Sequence, residues 1–223
     1  MILDRLWVPL VARWHKEGFL IRKVSDARVL DVGCGNNGVH KIRRYCKKGG
    51  KNVYYSGLDV GDYNFSDASK EAADEYVIVP PPEFAGALLR WEMMEDAVIS
   101  SHNLEHCDEP ATVIDNIVRT LKSGGWLYLS FPSEESADFP KGFEGCLNFY
   151  DDLSHQHMPS WDDTIERLKA DGMEIIHACR NYRPLLLRML GFITWPIAKR
   201  RKRVTYGTWE YFGFESVIWA RKK

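Results

Sequence analysis

The sequence has no paired cysteines, no long apolar run and no strong net charge. Its five cysteines are widely spaced and form no C-x-x-C pair, which argues against a zinc ribbon or a disulfide framework. No uninterrupted apolar run reaches the roughly 18–20 residues that span a bilayer. Charged residues also interrupt every apolar run near the N-terminus, where a secretory leader would lie. These absences predict a cytoplasmic globular protein with reduced thiols.

The formal net charge of −1 gives no global reason to expect nucleic acid as a partner. The length of 223 residues predicts one domain, 1–223. We divide it into an N-terminal helical cap (1–26), a cofactor-binding core (27–132) and a substrate-side half (133–223). Apolar residues at helical spacing over 3–14 predict an amphipathic helix in the cap.

Strand and helix patterns alternate along most of the chain, which predicts an α/β fold with a mainly parallel, doubly wound sheet. Pro80, Pro81 and Pro82 predict a loop, with a helix following over 83–94. A second helix is expected to start near Pro110 and to be closed by Gly124-Gly125. The predicted strands are 27–32, 53–60, 76–79, 97–101, 126–131, 173–178 and 215–220.

The first strand leads into a glycine-rich turn, Val29-Leu30-Asp31-Val32-Gly33-Cys34-Gly35-Asn36-Asn37-Gly38. The glycine spacing fits G-x-G-x-x-G, a weak signal for dinucleotide binding at a helix N-terminus. Asp31 would repel a phosphate at the strand end and would attract an ammonium group. Asp59, at the end of the second strand, is placed to accept hydrogen bonds from ribose hydroxyls. S-adenosylmethionine has both an ammonium group and a ribose, and it carries no phosphate.

The chain resembles the class I S-adenosylmethionine-dependent methyltransferases. The resemblance rests on the glycine-rich turn and Asp59, and on two later blocks, Asn103-Leu104-Glu105-His106 and Leu121-Lys122-Ser123-Gly124-Gly125-Trp126-Leu127. The resemblance covers about 27–179 and resumes at 211–221. It implies a seven-stranded, mostly parallel Rossmann-like sheet with one antiparallel strand near the end. In this chain a long insert, 180–210, precedes the last strand.

The resemblance implies a cofactor site at three strand ends. Gly33 and Gly35 would lie against the methionine part, and Asp31 would hold its ammonium group. One departure is that Val79-Pro80-Pro81 stands where many relatives carry an acid that reads adenine. Glu105 and His106 are expected to start a helix and pack. The full set of cofactor-binding residues implied is Asp31, Gly33, Gly35, Asp59, Val60, Ser101, His102 and Asn103.

His155 and His157 are the candidate catalytic residues. They lie in a 27-residue stretch of low periodicity, 133–159, after the fifth strand, on the side where open α/β sheets bind ligands. A hydroxyl nucleophile benefits from a base, and Asp151 or Asp152 would orient the ring. The alternative is that one histidine ties the loop to the core. His-x-His beside two acids also raises a metal site, but the resemblance requires none and we predict no metal.

The insert contains an almost wholly apolar stretch, 184–198, followed directly by Lys199-Arg200-Arg201-Lys202-Arg203. An apolar segment beside a basic cluster suits peripheral contact with an anionic membrane through 184–203. The alternative is a helix that covers the active site or forms a dimer contact. Similar inserts occur in methyltransferases resembling those of bacterial cell-surface polysaccharide assembly, which favours a lipid-linked or nucleotide-linked sugar as the methyl acceptor.

The leading functional hypothesis is therefore an S-adenosylmethionine-dependent enzyme that O-methylates a small molecule or a glycan intermediate. One alternative is an NAD-dependent oxidoreductase, which the glycines and Asp59 allow and Asp31 opposes. Another is a module that binds S-adenosylmethionine without catalysis. A nucleic-acid methyltransferase is disfavoured, because Ser101-His102-Asn103-Leu104 stands where an Asn-Pro-Pro-Tyr-type motif would be expected.

Overall fold

The computed structural model describes residues 12–24, 26–35, 38–48, 52–62 and 67–223. Seven strands form one sheet in the order β3-β2-β1-β4-β5-β7-β6. Strands β1 to β5 pair in parallel, and β7 runs antiparallel between β5 and β6. The predicted α/β class and the closing antiparallel pair are confirmed. The strands are β1 Ala27–Val32, β2 Val53–Asp59, β3 Glu75–Ile78, β4 Glu95–Ser101, β5 Leu121–Pro132, β6 Met173–Cys179 and β7 Glu215–Lys222.

Helices cover both faces of this sheet. Four short 3-10 turns lie between the longer elements, at Leu88–Trp91, Leu104–His106, Glu134–Asp138 and Phe149–Asp151. The α-helices within the described residues are α1 Lys16–Lys23, α2 Gly38–Lys48, α3 Asp67–Ala72, α4 Pro81–Ala87, α5 Pro110–Thr120, α6 Trp161–Ala170, α7 Leu185–Arg201 and α8 Thr208–Phe212. None of the helices among these residues combines the length and apolar character that a bilayer crossing requires.

The central strands are apolar on both sides because each face packs against helices. Successive side chains of a strand point to opposite faces. Leu30 accordingly joins a core cluster with α5, whereas its neighbour Val29 joins a second cluster with α1 and α2. The buried face of α2, which includes Val39 and Ile42, lies in that second cluster. The sheet is therefore a rigid layer whose strand ends can position a site.

Several predicted boundaries are corrected. The amphipathic helix was predicted over 3–14, of which 3–11 lie outside the described residues. Ala12–His15 form bends, and α1 begins at Lys16. The proline run does not remain a loop, because α4 begins at Pro81, where a missing N–H costs nothing. The helix expected over 83–94 ends at Ala87 and tightens into a 3-10 turn.

The end of α5 is corrected as well. The helix stops at Thr120, before the glycine pair, and β5 already begins at Leu121. Leu121 pairs with Glu95 across an irregularity in the β4–β5 ladder. The glycines therefore belong to the irregular start of β5 rather than to the end of the helix.

Glu95 is a fully buried acid at the start of β4. Its carboxylate lies 3.5 Å from the guanidinium Nε of Arg28. Burial, opposed by the charge of Arg28, raises the pKa of Glu95 from 4.5 to about 7. Because the folded protein holds this proton more tightly than the unfolded chain, the stabilisation is full below pH 4.5 and is lost as the pH rises through 7.

We expect Glu95→Gln, which cannot ionise, to be more stable than the parent protein at pH 8 by about 2–3 kcal/mol, and to lose this advantage below pH 4.5. Urea unfolding at several pH values measures the difference. The control is Glu92→Gln, which removes the same charge from a half-exposed position beside Arg119. An equal effect of Glu95→Gln at both ends of the pH range would contradict the raised pKa.

Candidate active site

The glycine turn after β1 is held close to two neighbouring strand ends. Gly33 and Gly35 have φ values of 72° and 56°, in the left-handed region that glycine adopts without strain. The Gly33 N–H donates to the carbonyl oxygen of Leu58 at 2.9 Å. A Cβ at Gly33 would lie 2.4 Å from Oδ1 of Asn103. The first glycine is therefore needed for the close approach of the β1 and β4 ends.

Asp59 supports the same turn from the end of β2. It is buried, and its two carboxylate oxygens accept backbone hydrogen bonds from Gly35 and Val60, each at 2.7 Å. Each carboxylate oxygen has further acceptor capacity, so Asp59 can still bind a hydroxyl group. The predicted site residue thus also anchors the loop, a role that the sequence did not indicate.

Asp31 lies beneath the turn. It is buried, it accepts a hydrogen bond from the Tyr55 hydroxyl at 3.1 Å, and burial raises its pKa. A Cβ at Gly38 would lie 2.3 Å from Oδ2 of Asp31. The third glycine of the motif therefore lets the start of α2 approach this carboxylate.

A cavity of about 190 Å³ opens beside these strand ends. Val60 and Asn103 line it together with Pro81, Pro82 and Phe84. The wall is apolar where many relatives would carry an acid, which suits the flat face of an adenine ring. Phe84 was not predicted. It lies in α4, within the helix that the sequence predicted over 83–94, but no role in the site was assigned to it.

A second cavity, of about 280 Å³, lies on the other side of the β4 end. We call it the acceptor-side cavity. His106 lines both cavities, so they share one wall. The residues that line the acceptor-side cavity are His102, Glu105, His106, Pro132, Cys146, Asp152, His155 and Trp209.

His102 lies between two carboxylates directly after the carboxyl end of β4. Its Nδ1 lies 3.2 Å from Oε1 of Glu105, and its Nε2 lies 3.2 Å from Oε1 of Glu215. Burial alone would lower the pKa of His102, but the two carboxylates raise it to about 9. The ring is therefore an imidazolium at neutral pH and is not a proton acceptor. Ser101, before it, contacts Ser130 through hydroxyl groups 3.1 Å apart.

The same network continues to the N-terminal side of the molecule. His15 Nε2 lies 3.5 Å from Oε1 of Glu215, and His15 Nδ1 lies 2.5 Å from Glu17. Burial opposes charging of His15, yet Glu215 and Glu17 raise its pKa to about 10. Burial would raise the pKa of Glu215, but the charges of His15 and His102 hold it far below its usual value. Sequence reasoning missed Glu215, although an acid at the start of an apolar strand was a signal.

His155 is the predicted catalytic histidine that lines the acceptor-side cavity. Its side chain is 7% exposed, and its Nδ1 donates to the carbonyl oxygen of Phe149 at 2.6 Å. This bond assigns the proton to Nδ1 and leaves a lone pair on Nε2. The His157 ring is exposed and lies outside the set of lining residues. Asp152 reaches within 3.9 Å of His155 Nε2, whereas Asp151 accepts from the backbone of Gly142.

A larger groove of about 570 Å³ runs between α5 and α6. Leu104 and Ile114 form its floor, and Asp163, Glu166 and Arg167 are at its rim. It contains none of the predicted site residues, so its size does not make it the candidate site. The strand ends and the two cavities that share His106 are the better site.

The comparisons with known proteins agree with this location. A model of the methyltransferase domain family matches residues 30–129, which include both glycine-turn and β4-end residues. Over this stretch, a little under half of the chain, the sequence matches a methyltransferase domain. S-adenosylmethionine is the cofactor that these matches support, and the NAD hypothesis is not retained.

Individual relatives are distant. A ubiquinone biosynthesis O-methyltransferase of Thiobacillus denitrificans is 29% identical over 136 residues, which is 55% of this chain and 50% of that protein. The chain thus matches about half the length of its curated relatives.

Solved structures share the fold. An S-adenosylmethionine-dependent methyltransferase from Mesorhizobium loti aligns with a TM-score of 0.63 at 17% identity, covering 95% of this chain and 98% of that one. The 1,6-didemethyltoxoflavin-N1-methyltransferase of Burkholderia thailandensis, solved with S-adenosylhomocysteine, aligns with a TM-score of 0.57 at 15% identity, covering 99% and 82%.

We expect Asp59→Ala to weaken S-adenosylmethionine binding by about 1–3 kcal/mol, because hydrogen bonds to the ribose are lost. Isothermal calorimetry measures the affinity, and thermal unfolding without cofactor measures the cost of releasing the Gly35 turn. Asp62→Ala, which removes a half-exposed acid three residues further along that pairs with Lys70, should bind the cofactor as the parent does. Unchanged affinity in Asp59→Ala would remove Asp59 from the site.

Proposed function

We propose that this protein transfers the methyl group of S-adenosylmethionine to a hydroxyl oxygen of a lipid-linked acceptor. The observation that carries the proposal is the pair of cavities at the strand ends, joined at His106. The cavity beside Gly33, Asp59 and Val60 suits the cofactor. The acceptor-side cavity presents the free Nε2 of His155, which suits an acceptor that must lose a proton. The named ubiquinone biosynthesis relatives, which are O-methyltransferases, support oxygen as the acceptor atom.

In the proposed reaction the acceptor oxygen attacks the methyl carbon in line with the carbon–sulfur bond. That bond breaks, its electron pair stays on sulfur, and S-adenosylhomocysteine leaves. The sulfonium is already activated, so the protein mainly aligns the two reactants. The hydroxyl proton passes to Nε2 of His155, because His102 already carries a second proton in its carboxylate clamp.

We expect His155→Ala to bind S-adenosylmethionine normally and to lower turnover by about 10²- to 10⁴-fold, the usual contribution of a positioned base. Calorimetry measures binding, and transfer of a labelled methyl group measures turnover. His157→Ala, assayed separately, decides whether the exposed ring takes part. Full activity in both variants would contradict a histidine base in this loop. No transfer to any acceptor by the parent protein would favour a binding module without catalysis.

Helix α7 supports the choice of a lipid-linked acceptor. Leu185, Met189, Ile193 and Ile197 recur every four residues along one face, and their exposed fractions lie between 51% and 68%. Large apolar surfaces of this kind mark interaction sites. The exposed apolar side chains of the helix are Leu185, Leu186, Met189, Leu190, Phe192, Ile193 and Ile197.

The basic cluster lies at the end of this face. Lys199, Arg200 and Arg201 occupy the last turn of α7 and are exposed. Apolar side chains that enter an interface, next to cations that meet anionic headgroups, are the two components of peripheral membrane binding. We therefore propose that α7 lies on an anionic lipid surface.

The opposite face of α7 connects it to the acceptor-side cavity. Trp195 packs on Phe139, Phe143 and Phe212 with ring centroids 4.8–5.9 Å apart. In the same region Trp209 contacts the His102 ring at 5.4 Å and lines the cavity. A lipid surface at α7 would therefore be close to the cavity, which favours an acceptor carried by a lipid.

We expect the protein to sediment with vesicles that contain anionic lipid and to remain free with neutral vesicles. Lys199→Glu/Arg200→Glu should abolish this binding. Each cation removed costs about 1 kcal/mol of membrane-binding free energy, and replacing it by an acid costs more. The matched control is Arg44→Glu/Lys47→Glu, which changes the same charges on exposed positions of α2. Equal loss in both double variants would indicate a net-charge effect, and self-association without vesicle binding would indicate a dimer contact.

The acceptor class has its own assay. Labelled methyl groups from S-adenosylmethionine are offered to a membrane lipid extract and, separately, to a pool of nucleotide-linked sugars. We expect label to enter the lipid fraction. Label confined to the nucleotide-linked sugars would replace the lipid-linked acceptor with a nucleotide-linked sugar as the methyl acceptor.

A further inference from the structure

Three side chains that line the acceptor-side cavity place potential metal-ligand atoms close to one another. We infer that Glu105, His106 and His155 bind a divalent transition-metal ion. One potential ligand atom from each residue lies within 4.8 Å of the others. This inference reverses the expectation that the protein uses no metal. It also deepens the proposed function, on which its catalytic consequence rests.

Glu105 supplies the first argument. The residue is fully buried, and Oε1 is occupied by His102. Its Oε2 is also buried and has no hydrogen-bond partner within the described part of the chain. A buried carboxylate oxygen without a partner is costly. A cation at this oxygen would remove that cost.

The two histidines supply the second argument. The Nδ1 atom of His155 donates to the carbonyl oxygen of Phe149, and that of His106 lies 3.3 Å from the carbonyl oxygen of Ser154. Metal-binding histidines characteristically donate their other ring N–H to such an oxygen, which fixes the tautomer. With both Nδ1 atoms engaged in this way, the Nε2 atoms are the ring nitrogens available to an ion. The two rings lie with centroids 4.8 Å apart, tilted by 58°.

The loop that carries His155 is fastened to the turn that carries the other two ligands. The Gln156 N–H donates to the carbonyl oxygen of Glu105 at 2.8 Å, and the Gln156 side chain donates to the carbonyl oxygen of His106 at 3.2 Å. Ligand atoms that share a tetrahedral ion at about 2.1 Å lie about 3.4 Å apart. Closure by roughly 1.4 Å, through side-chain rotation, would therefore complete the site.

The ligand types select the metal. Two imidazoles and one carboxylate are the three protein ligands of many catalytic zinc sites, which keep a fourth position open. Mg²⁺ prefers an oxygen-only octahedral shell and fits poorly. Zn²⁺ is therefore the ion that this triplet fits best. The open position would face the cavity, where Asp152 lies within 3.9 Å of His155 Nε2.

An ion here changes the role of His155. Bound to the metal, its Nε2 no longer takes the proton of the acceptor. The acceptor oxygen would instead occupy the open position, where the ion would lower the pKa of the hydroxyl group so that its proton leaves to water in the cavity. The free base and the metal ligand are thus two distinct roles for one imidazole, and metal dependence of turnover separates them.

The test uses the full chain, stripped with a chelator and titrated with Co²⁺, whose visible absorption reports imidazole coordination. We expect one Co²⁺ per chain, displaced by Zn²⁺ and not by Mg²⁺. His106→Gln and His155→Ala should weaken Zn²⁺ binding by more than the roughly 10- to 100-fold that an outer-shell change costs. His157→Ala, the exposed neighbouring histidine, should bind the ion as the parent does. Circular dichroism checks that each variant is folded.

The outcomes separate this inference from the proposed function. Absence of Co²⁺ absorption in the parent, or equal affinity in the His106 and His155 variants, overturns the metal site even when turnover is normal. Turnover that survives metal removal restores His155 as a free base. Co²⁺ binding by the triplet without methyl transfer to any acceptor keeps the metal site and rejects the proposed reaction.

Discussion

An imidazole held between two buried carboxylates is the contact on which the upper edge of the sheet depends. Glu105 follows β4, Glu215 opens β7, and His102 bridges them with both ring nitrogens. Removing the imidazole would leave two buried carboxylates without a compensating charge, which is strongly destabilising. His102 also has a φ of 52°, a strained value for a residue with a Cβ. The two carboxylates stabilise a backbone conformation at His102 that is unfavourable in the absence of these contacts.

The charge balance of this network favours the cofactor of the family. Glu17, His15, Glu215, His102 and Glu105 form one continuous series of contacts. With both rings protonated and no ion at Glu105, its three acids exceed its two cations by one negative charge. A sulfonium cofactor is attracted to such surroundings, whereas the pyrophosphate of a dinucleotide is repelled. This agrees with the sign of the charge at Asp31.

The fold was predictable from the sequence to the extent that its signals are local. Apolar runs and turn residues located all seven strands. The signal is clearest for the central strands β1 and β4, which are buried on both faces and therefore largely apolar. The start of α4 at Pro81 was missed, because proline excludes a helix interior but is favoured in its first turn. The cofactor-binding residues stay a prediction, but the structure brings them together for a similar reason. Each lies near the end of a strand or directly after it, and parallel strands bring their carboxyl ends to one edge.

The acceptor side was less predictable because it is assembled from segments distant in sequence. His155 meets Glu105 and His106 only because loop 149–157 folds back on the β4 end. Glu144 pairs with Arg203 in the same way, joining the two segments whose roles the sequence left open. Contacts of this kind depend on three-dimensional packing, and residue spacing carries little information about them.

The packing of α7 has an evolutionary consequence. Its inner face touches the chain backbone at Gly191, where a Cβ would lie 1.9 Å from the carbonyl oxygen of Gly207. Mutation at Gly191 would push the helix off the protein, whereas its outward residues are constrained by no contact of this kind. Selection can therefore vary the outward face without moving the helix or disturbing the cofactor half. The contacts that hold α7 are thus separate from the side chains that it exposes.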